Sequence, residues 1–252
     1  MTKKIALITG ATAGIGLETA RILAKNNYNL ILTGRRLERL EEIKQELTLE
    51  GAAVILLHFD IRQKAEVDSA LDSIPGNWRK IDVLVNNAGL AAGLAPINSA
   101  DVADWEQMID TNVKGLLYVS RTVSNWMIAQ KSGHIISISS IAGKEAYPNG
   151  TVYCGTKHAV SAISKAMRIE LAPHNVKVST VCPGAVETEF SLVRFKGDEE
   201  RAAKVYEGFT PLFAQDIAET IYFIVSRPAH VNIDDILVMP TAQSSARDFV
   251  RE

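Results

Sequence analysis

Ile5-Ala6-Leu7-Ile8-Thr9-Gly10-Ala11-Thr12-Ala13-Gly14-Ile15-Gly16 runs an apolar segment straight into a glycine-rich turn, and apolar residues three and four apart follow over Leu17–Lys25. The short apolar run reads as a strand buried on both faces, and the later spacing as a helix that covers it. The same alternation continues along the chain. Leu30–Thr33, Ala53–Phe59, Val83–Val85, His134–Ser139, Val176–Val181 and Ile236–Met239 are short and mostly apolar, with several β-branched residues, while Leu37–Glu50 and Ala159–Leu171 carry helical spacing. Alternating strands and helices predict an α/β protein built on a doubly wound parallel sheet. No linker, repeat or low-complexity stretch interrupts the pattern, so residues 1–252 are expected to form one domain. Residues 187–208 carry more charge and break the alternation, which predicts an insertion over the C-terminal edge of the sheet, where ligands bind in such folds.

The composition narrows the function. The chain has 27 basic and 29 acidic residues, a net charge of −2, so it has no global attraction to nucleic acid or to an anionic membrane. Met1-Thr2-Lys3-Lys4 before Ile5–Ile8 is similar to a short signal peptide, but the apolar run is too short and a first strand is the better reading. No apolar stretch is long enough to span a bilayer. Cys154 and Cys182 lack metal-ligand spacing and read as reduced thiols of a cytoplasmic protein. The five histidines form no ligand cluster, Trp78, Trp105 and Trp126 read as packing residues, and Glu38-Arg39 and Glu41-Glu42 read as a solvated helix face.

Chemistry is expected at the strand ends. The turn holding Gly10, Thr12, Gly14, Ile15 and Gly16 would let a pyrophosphate approach a helix N-terminus, where unpaired N–H groups favour anions; the plain alternative is a tight structural turn. Strand two ends in Thr33-Gly34-Arg35-Arg36 with no acid to accept from a ribose hydroxyl, and the two arginines predict pairing with a 2′-phosphate. Asp60 and Ile61 follow the third strand, and Asn86-Asn87-Ala88-Gly89 the fourth. Asn112 falls in a helical stretch, where a buried amide needs partners. Tyr153 and Lys157, four apart, face the same way from a helix. A phenol ionises near pH 10, and a neighbouring ammonium is expected to lower that value, making the pair a proton-transfer device.

Together these residues resemble the short-chain dehydrogenase/reductase family, over essentially the whole chain. The motifs are Thr-Gly-x-x-x-Gly-Ile-Gly at Thr9–Gly16, Asn-Asn-Ala-Gly at Asn86–Gly89, Asn112, Ser140, Tyr-x-x-x-Lys at Tyr153–Lys157 and Pro183-Gly184. The resemblance implies a Rossmann fold with NADP(H) held by the glycine turn, Arg35, Arg36, Asp60, Ile61, Asn87, Ala88 and Gly89. It implies that Tyr153 is the acid/base, that Lys157 holds the nicotinamide ribose and lowers the Tyr153 pKa, and that Ser140, rather than Ser139, polarises the substrate oxygen. Asn112 would hold a water in a proton relay, and Pro183, Gly184, Val186 and Thr188 would bind the nicotinamide end. The runs Pro183–Gly197, Ala146–Gly150 and Met239–Thr241 are similar to the branch of NADP-dependent 3-hydroxy acid dehydrogenases, which act on serine, allo-threonine, 3-hydroxyisobutyrate, 3-hydroxypropionate and the matching semialdehydes. That branch implies a homotetramer. A small 3-hydroxy acid needs a cation or several N–H donors for its carboxylate: Arg194 is the first candidate and Lys196 the second, with Tyr147 as a further substrate contact. The rival readings are a reductase of another carbonyl, such as a 3-oxoacyl thioester or bulky ketone, and a non-catalytic NADP-binding sensor.

Overall fold

The computed structural model describes residues 3–252; Met1 and Thr2, part of the segment weighed as a signal peptide, lie outside the described residues. Strands β1 (Lys4–Ile8), β2 (Tyr28–Gly34) and β3 (Val54–His58) alternate with helices α1 (Gly14–Lys25), α2 (Leu37–Leu49) and α3 (Lys64–Asp72). After β4 (Val83–Asn86), helix α4 (Val102–Ile109) continues through a π-helical turn (Asp110–Gly115) into α5 (Leu116–Gln130). Then come β5 (Gly133–Ile138), α6 (Thr151–Leu171) and β6 (Val176–Pro183). The short elements β7 (Val186–Glu187), α7 (Phe190–Arg194), α8 (Glu199–Lys204) and β8 (Leu212–Phe213) precede α9 (Ala214–Val225) and β9 (Asp235–Val238).

Seven strands form one parallel sheet in the order β3-β2-β1-β4-β5-β6-β9. This is the predicted doubly wound, single-domain Rossmann arrangement. Alternation along each strand divides the core. Ala6 and Ile8 pack with Leu30, Leu32, Val85 and Ile138 against the face covered by α1, α2 and α9. Ile5 and Leu7 pack with Ile31, Leu84, Ile135 and Val178 on the face where Val67, Leu71, Val119 and Val123 of α3 and α5 lie.

The chain winds one way from β1 through β3 and the other way from β4 onward, so the loops after β1 and β4 part at a crevice. Ile8 pairs with Val85, which sets Thr9 and Asn86 side by side at its floor. Ligands bind at such switch points. The predicted insertion is ordered differently from a plain loop: β7 pairs with β8 as a separate two-stranded sheet, and α7 and α8 lie between them. Helix α6 starts eight residues before the predicted Ala159, because the apolar spacing is interrupted by the polar residues that face the crevice.

Candidate active site

The crevice opens into a cavity of about 610 Å³ that runs from Arg35, Arg36 and Asp60, past Gly10, Thr12 and Gly14, to Ser140, Tyr153 and Arg194. Its floor is built by the glycine turn. Gly10 and Gly14 have φ of +67° and +53°, in the left-handed region that glycine adopts without strain. A Cβ on Gly16 would stand 2.4 Å from the Gly10 carbonyl oxygen and 2.5 Å from Asn87 Nδ2. Ala13 at the head of α1 offers no side-chain cap, so the first N–H groups of the helix remain available to an anion. Ile15, Ile61, Ala88 and Gly89 line the same cavity. Thr188 closes over the turn, its Cγ2 3.2 Å from where a Gly14 Cβ would be.

Asn87 lines the cavity, as the predicted cofactor contact would, and also braces the turn. Its Nδ2 donates to the carbonyls of Thr9 and Gly10 at 2.9 and 3.0 Å, and its backbone N–H and that of Ala88 donate to Thr9 Oγ1. Asn87 therefore shapes the turn, although it borders the cavity. Asp60 accepts from Arg62 through both oxygens, down to 2.6 Å. Partial burial opposes its ionisation, yet the Arg62 hydrogen bonds keep its carboxyl below the ordinary range. Arg35 is half-exposed and reaches Asp60 only at 4.0 Å. Arg36 donates to Thr12 Oγ1 from Nε and Nη2 at 3.0 and 2.7 Å.

At the other end, α6 carries Tyr153 and Lys157 on one face, both almost wholly buried (8% and 6% exposed). Lys157 Nζ lies 5.9 Å from the Tyr153 ring centroid and donates to the Ile138 carbonyl at 2.9 Å. Burial pushes the Lys157 ammonium down to about 8. It pushes the Tyr153 phenol well above its ordinary value; Tyr147 adds to this, while Ser140 and Arg194 pull down without offsetting it. The expected lowering of Tyr153 is thus corrected. Desolvation dominates, and Lys157 sits at the ring with its Nζ donating a hydrogen bond to the Ile138 carbonyl.

Ser140 and Ser139 separate cleanly. Ser139 Oγ donates to the Lys157 carbonyl at 3.0 Å and meets Ser161 Oγ at 2.9 Å, so it knits β5 to α6. Ser140 Oγ accepts from Ala142 N–H at 3.1 Å and reaches the Pro183 carbonyl only at 3.4 Å, beside Tyr153. Asn112, in the π-helical turn, donates from Nδ2 to the Leu90 carbonyl and Thr156 Oγ1 and accepts from Leu90 N–H. Its amide, with both N–H donors and one acceptor site used, ties the post-β4 loop to α6. π-Helical turns are frequent at functional sites.

The far wall comes from the insertion and the C-terminal residues. Pro183, Gly184 and Val186 line the cavity as β6 leads into β7. Arg194 lies over the Tyr153 ring at 5.2 Å and the Tyr147 ring at 5.8 Å, and its Nη2 donates to Tyr147 Oη at 2.8 Å. Its Nε is buried without a hydrogen-bond partner among the described residues. Lys196 turns away and pairs with Asp104 at 2.9 Å, which removes the second carboxylate candidate.

Several lining residues were not predicted. Phe190 packs on Tyr153 at 5.7 Å, Gln243 Oε1 accepts from Ala185 N–H at 2.8 Å, and Arg247 lies 5.2 Å from the Tyr147 ring. Arg39, read as part of a solvated face, pairs with Glu189. Arg36 and Arg39 lie three apart at the head of α2, a spacing that marks a shared face and was the available signal.

The uncapped helix, the glycine cradle and the arginines beyond it fit a dinucleotide with a 2′-phosphate. Among the described residues no group of three or more His, Cys, Asp or Glu is placed to hold a metal ion, and no helix is long and apolar enough to cross a membrane.

Residues 4–198 match the short chain dehydrogenase family. The chain is 48% identical over 243 residues to the NADP-dependent 3-hydroxy acid dehydrogenase YdfG of Salmonella typhi, covering 96% of this chain and 97% of the relative. It is 43% identical over 240 residues to the serine 3-dehydrogenase of Agrobacterium fabrum, covering 95% of each. The solved closed form of serine dehydrogenase complexed with NADP+ is 44% identical and has a TM-score of 0.92, over 98% of this chain and 99% of that one.

Proposed function

The chain belongs to the short-chain dehydrogenase family, and from that premise we propose that it interconverts small 3-hydroxy acids and their 3-oxo acids or semialdehydes. It is an oxidoreductase acting on a CH–OH group, with NADP(H) as its cofactor. Serine, allo-threonine, 3-hydroxyisobutyrate and 3-hydroxypropionate are the substrate class. The observation that carries this reading is Arg194: a partly buried guanidinium over the Tyr147 and Tyr153 rings, whose buried Nε has no hydrogen-bond partner among the described residues. A carboxylate supplies what that N–H lacks, and an arginine fork matches it.

When bound, NADP(H) supplies or takes up the hydride at the substrate carbon. The phosphates would lie on the N-terminus of α1, with Thr188 above them and Arg35 and Arg36 toward the 2′-phosphate. Tyr153 passes the proton: in reduction its hydroxyl protonates the substrate oxygen, and in oxidation its phenolate takes the hydroxyl proton. Ser140 holds that oxygen by a hydrogen bond. Lys157 anchors the ribose and bears the charge beside Tyr153, and Asn112 positions the loop and α6 around them.

A reductase of bulky ketones would need a wide apolar cleft, whereas Arg194 and Arg247 crowd this end with cations. A sensor would need no acid/base set, yet Ser140, Tyr153 and Lys157 line one cavity. Family membership also supports a cytoplasmic homotetramer, and exposed Val102, Ile109, Leu117 and Ile169 on α4–α6 offer apolar surface for association.

The test is Arg194→Met, assayed on charged and neutral substrates. Losing a charge-assisted hydrogen bond should raise KM for 3-hydroxy acids by about 10- to 100-fold while a neutral aldehyde or alcohol is hardly affected. Equal losses on both would mean that Arg194 orders the insertion and does not bind the carboxylate.

A further inference from the structure

Glu189 lies 153 residues from Arg36 in sequence and directly against it in the fold. Its Oε2 accepts from Arg36 Nη1 at 2.7 Å and its Oε1 from Arg39 Nη1 at 2.6 Å. Arg36 already directs Nε and Nη2 at the Thr12 hydroxyl. The remaining outward side of this guanidinium is the side that Glu189 holds. An adenosine 2′-phosphate bound to Arg36 must approach that same group, and two anions at one guanidinium repel each other. Arg39 stands ready to keep Glu189 paired when Arg36 turns to a phosphate.

The neighbours of Glu189 give the contact further reach. Thr188 lies over the glycine turn, and the Phe190 ring packs on Tyr153. Three consecutive residues thus touch the phosphate cradle, the arginine pair and the proton-transfer residue.

We propose that Glu189 competes with the cofactor 2′-phosphate for Arg36 and thereby tunes the preference for the phosphorylated dinucleotide. Binding of the phosphate loosens the tie between residues 188–190 and the β2–α2 corner, and by reciprocity that tie weakens binding of the phosphate. The unphosphorylated dinucleotide leaves the Arg36–Glu189 pair in place. The inference rests on the assignment of Arg36 to the 2′-phosphate.

The test measures equilibrium binding of 2′,5′-ADP and 5′-AMP to the full chain by calorimetry, which isolates the adenosine end from turnover. Arg36→Ala should lower the affinity ratio of 2′,5′-ADP to 5′-AMP by about tenfold. Glu189→Gln should tighten 2′,5′-ADP by about two- to fivefold, the size of an exposed ion pair, with 5′-AMP unchanged. The gain should vanish when Glu189→Gln is added to Arg36→Ala. Glu187→Gln, an exposed acid that makes no contact with these arginines among the described residues, should leave the ratio alone and so controls for the general loss of negative charge. If Arg36→Ala leaves the ratio unchanged, the phosphate assignment fails and the inference with it. If Arg36→Ala lowers the ratio but Glu189→Gln does not raise it, or Glu187→Gln raises it equally, the phosphate assignment survives and the competition is refuted.

Discussion

In the proposed reaction Tyr153 acts through one hydroxyl, while its ring packs against Phe190 independently of that group. Tyr153→Phe should therefore lower turnover by about 10²–10⁴-fold while calorimetry finds cofactor affinity unchanged. A variant with near-wild-type kcat would remove Tyr153 from the mechanism. The raised phenol gives a sign for the pH dependence: oxidation needs the phenolate, so its kcat/KM should climb as pH rises, whereas reduction draws on the phenol present at neutral pH. Lys157 discharges near its lowered value of about 8. Cofactor affinity should fall as pH rises through that value, and Lys157→Ala should bind weakly at every pH without that inflection. The residue types of this pair are visible in the chain, since four residues on a helix make one face. The direction of the Tyr153 shift was not, because the number of atoms that exclude water from its side chain depends on the packing of segments far apart along the chain.

In the proposed reading, cofactor binding depends on the turn after β1. Its glycines stand close together for a steric reason that differs from one to the next. At Gly16 a Cβ would strike a backbone carbonyl that cannot yield, so Gly16→Ala should cost about 1–3 kcal/mol in chemical unfolding and weaken cofactor binding. Gly155 in α6 would place a Cβ in open space, so Gly155→Ala should stabilise the helix by about 0.5–1 kcal/mol. A loss at both positions of similar size would contradict the steric argument. Strands were legible at this scale because burial on both faces demands apolar runs. The elements β7, α7, α8 and β8 were not, since pieces of two to six residues are too short for an apolar pattern to repeat and draw their order from contacts such as Tyr206 Oη to the Val186 carbonyl at 2.8 Å.

Across the whole molecule, the sheet buries an ionisable group that the reaction does not use. His134 on β5 is almost fully enclosed, its Nε2 2.8 Å from Ser179 Oγ, and burial pushes its pKa down to about 3. The unfolded chain takes up this proton near pH 6.5. Between those values the unfolded state binds more protons, so the His134 contribution is complete above about 6.5 and is lost as pH falls toward about 3. Lowering the pH from 7 to 5 should therefore remove about 2 kcal/mol through this residue. His134→Gln should flatten the drop in the urea midpoint over that range; an unchanged slope would place the acid sensitivity elsewhere.

The order of strands and helices, the glycine turn and the Tyr153–Lys157 face are all local patterns, with every participant within one element or one turn of the next. The chain alone therefore carried them, and with them the fold class and the chemistry of the crevice. Three features depended on distant segments meeting. Asn87 and Asn112 satisfy backbone groups of loops 22 to 78 residues away, so their amides help to shape the site. Gln243 and Arg247 reach the cavity because the residues after β9 fold back over it. Glu189 meets Arg36 and Arg39 because the insertion crosses the sheet at the switch point. An acid that no sequence window places near strand two thus lies beside its arginines, since charge pairing follows distance in space and not separation along the chain.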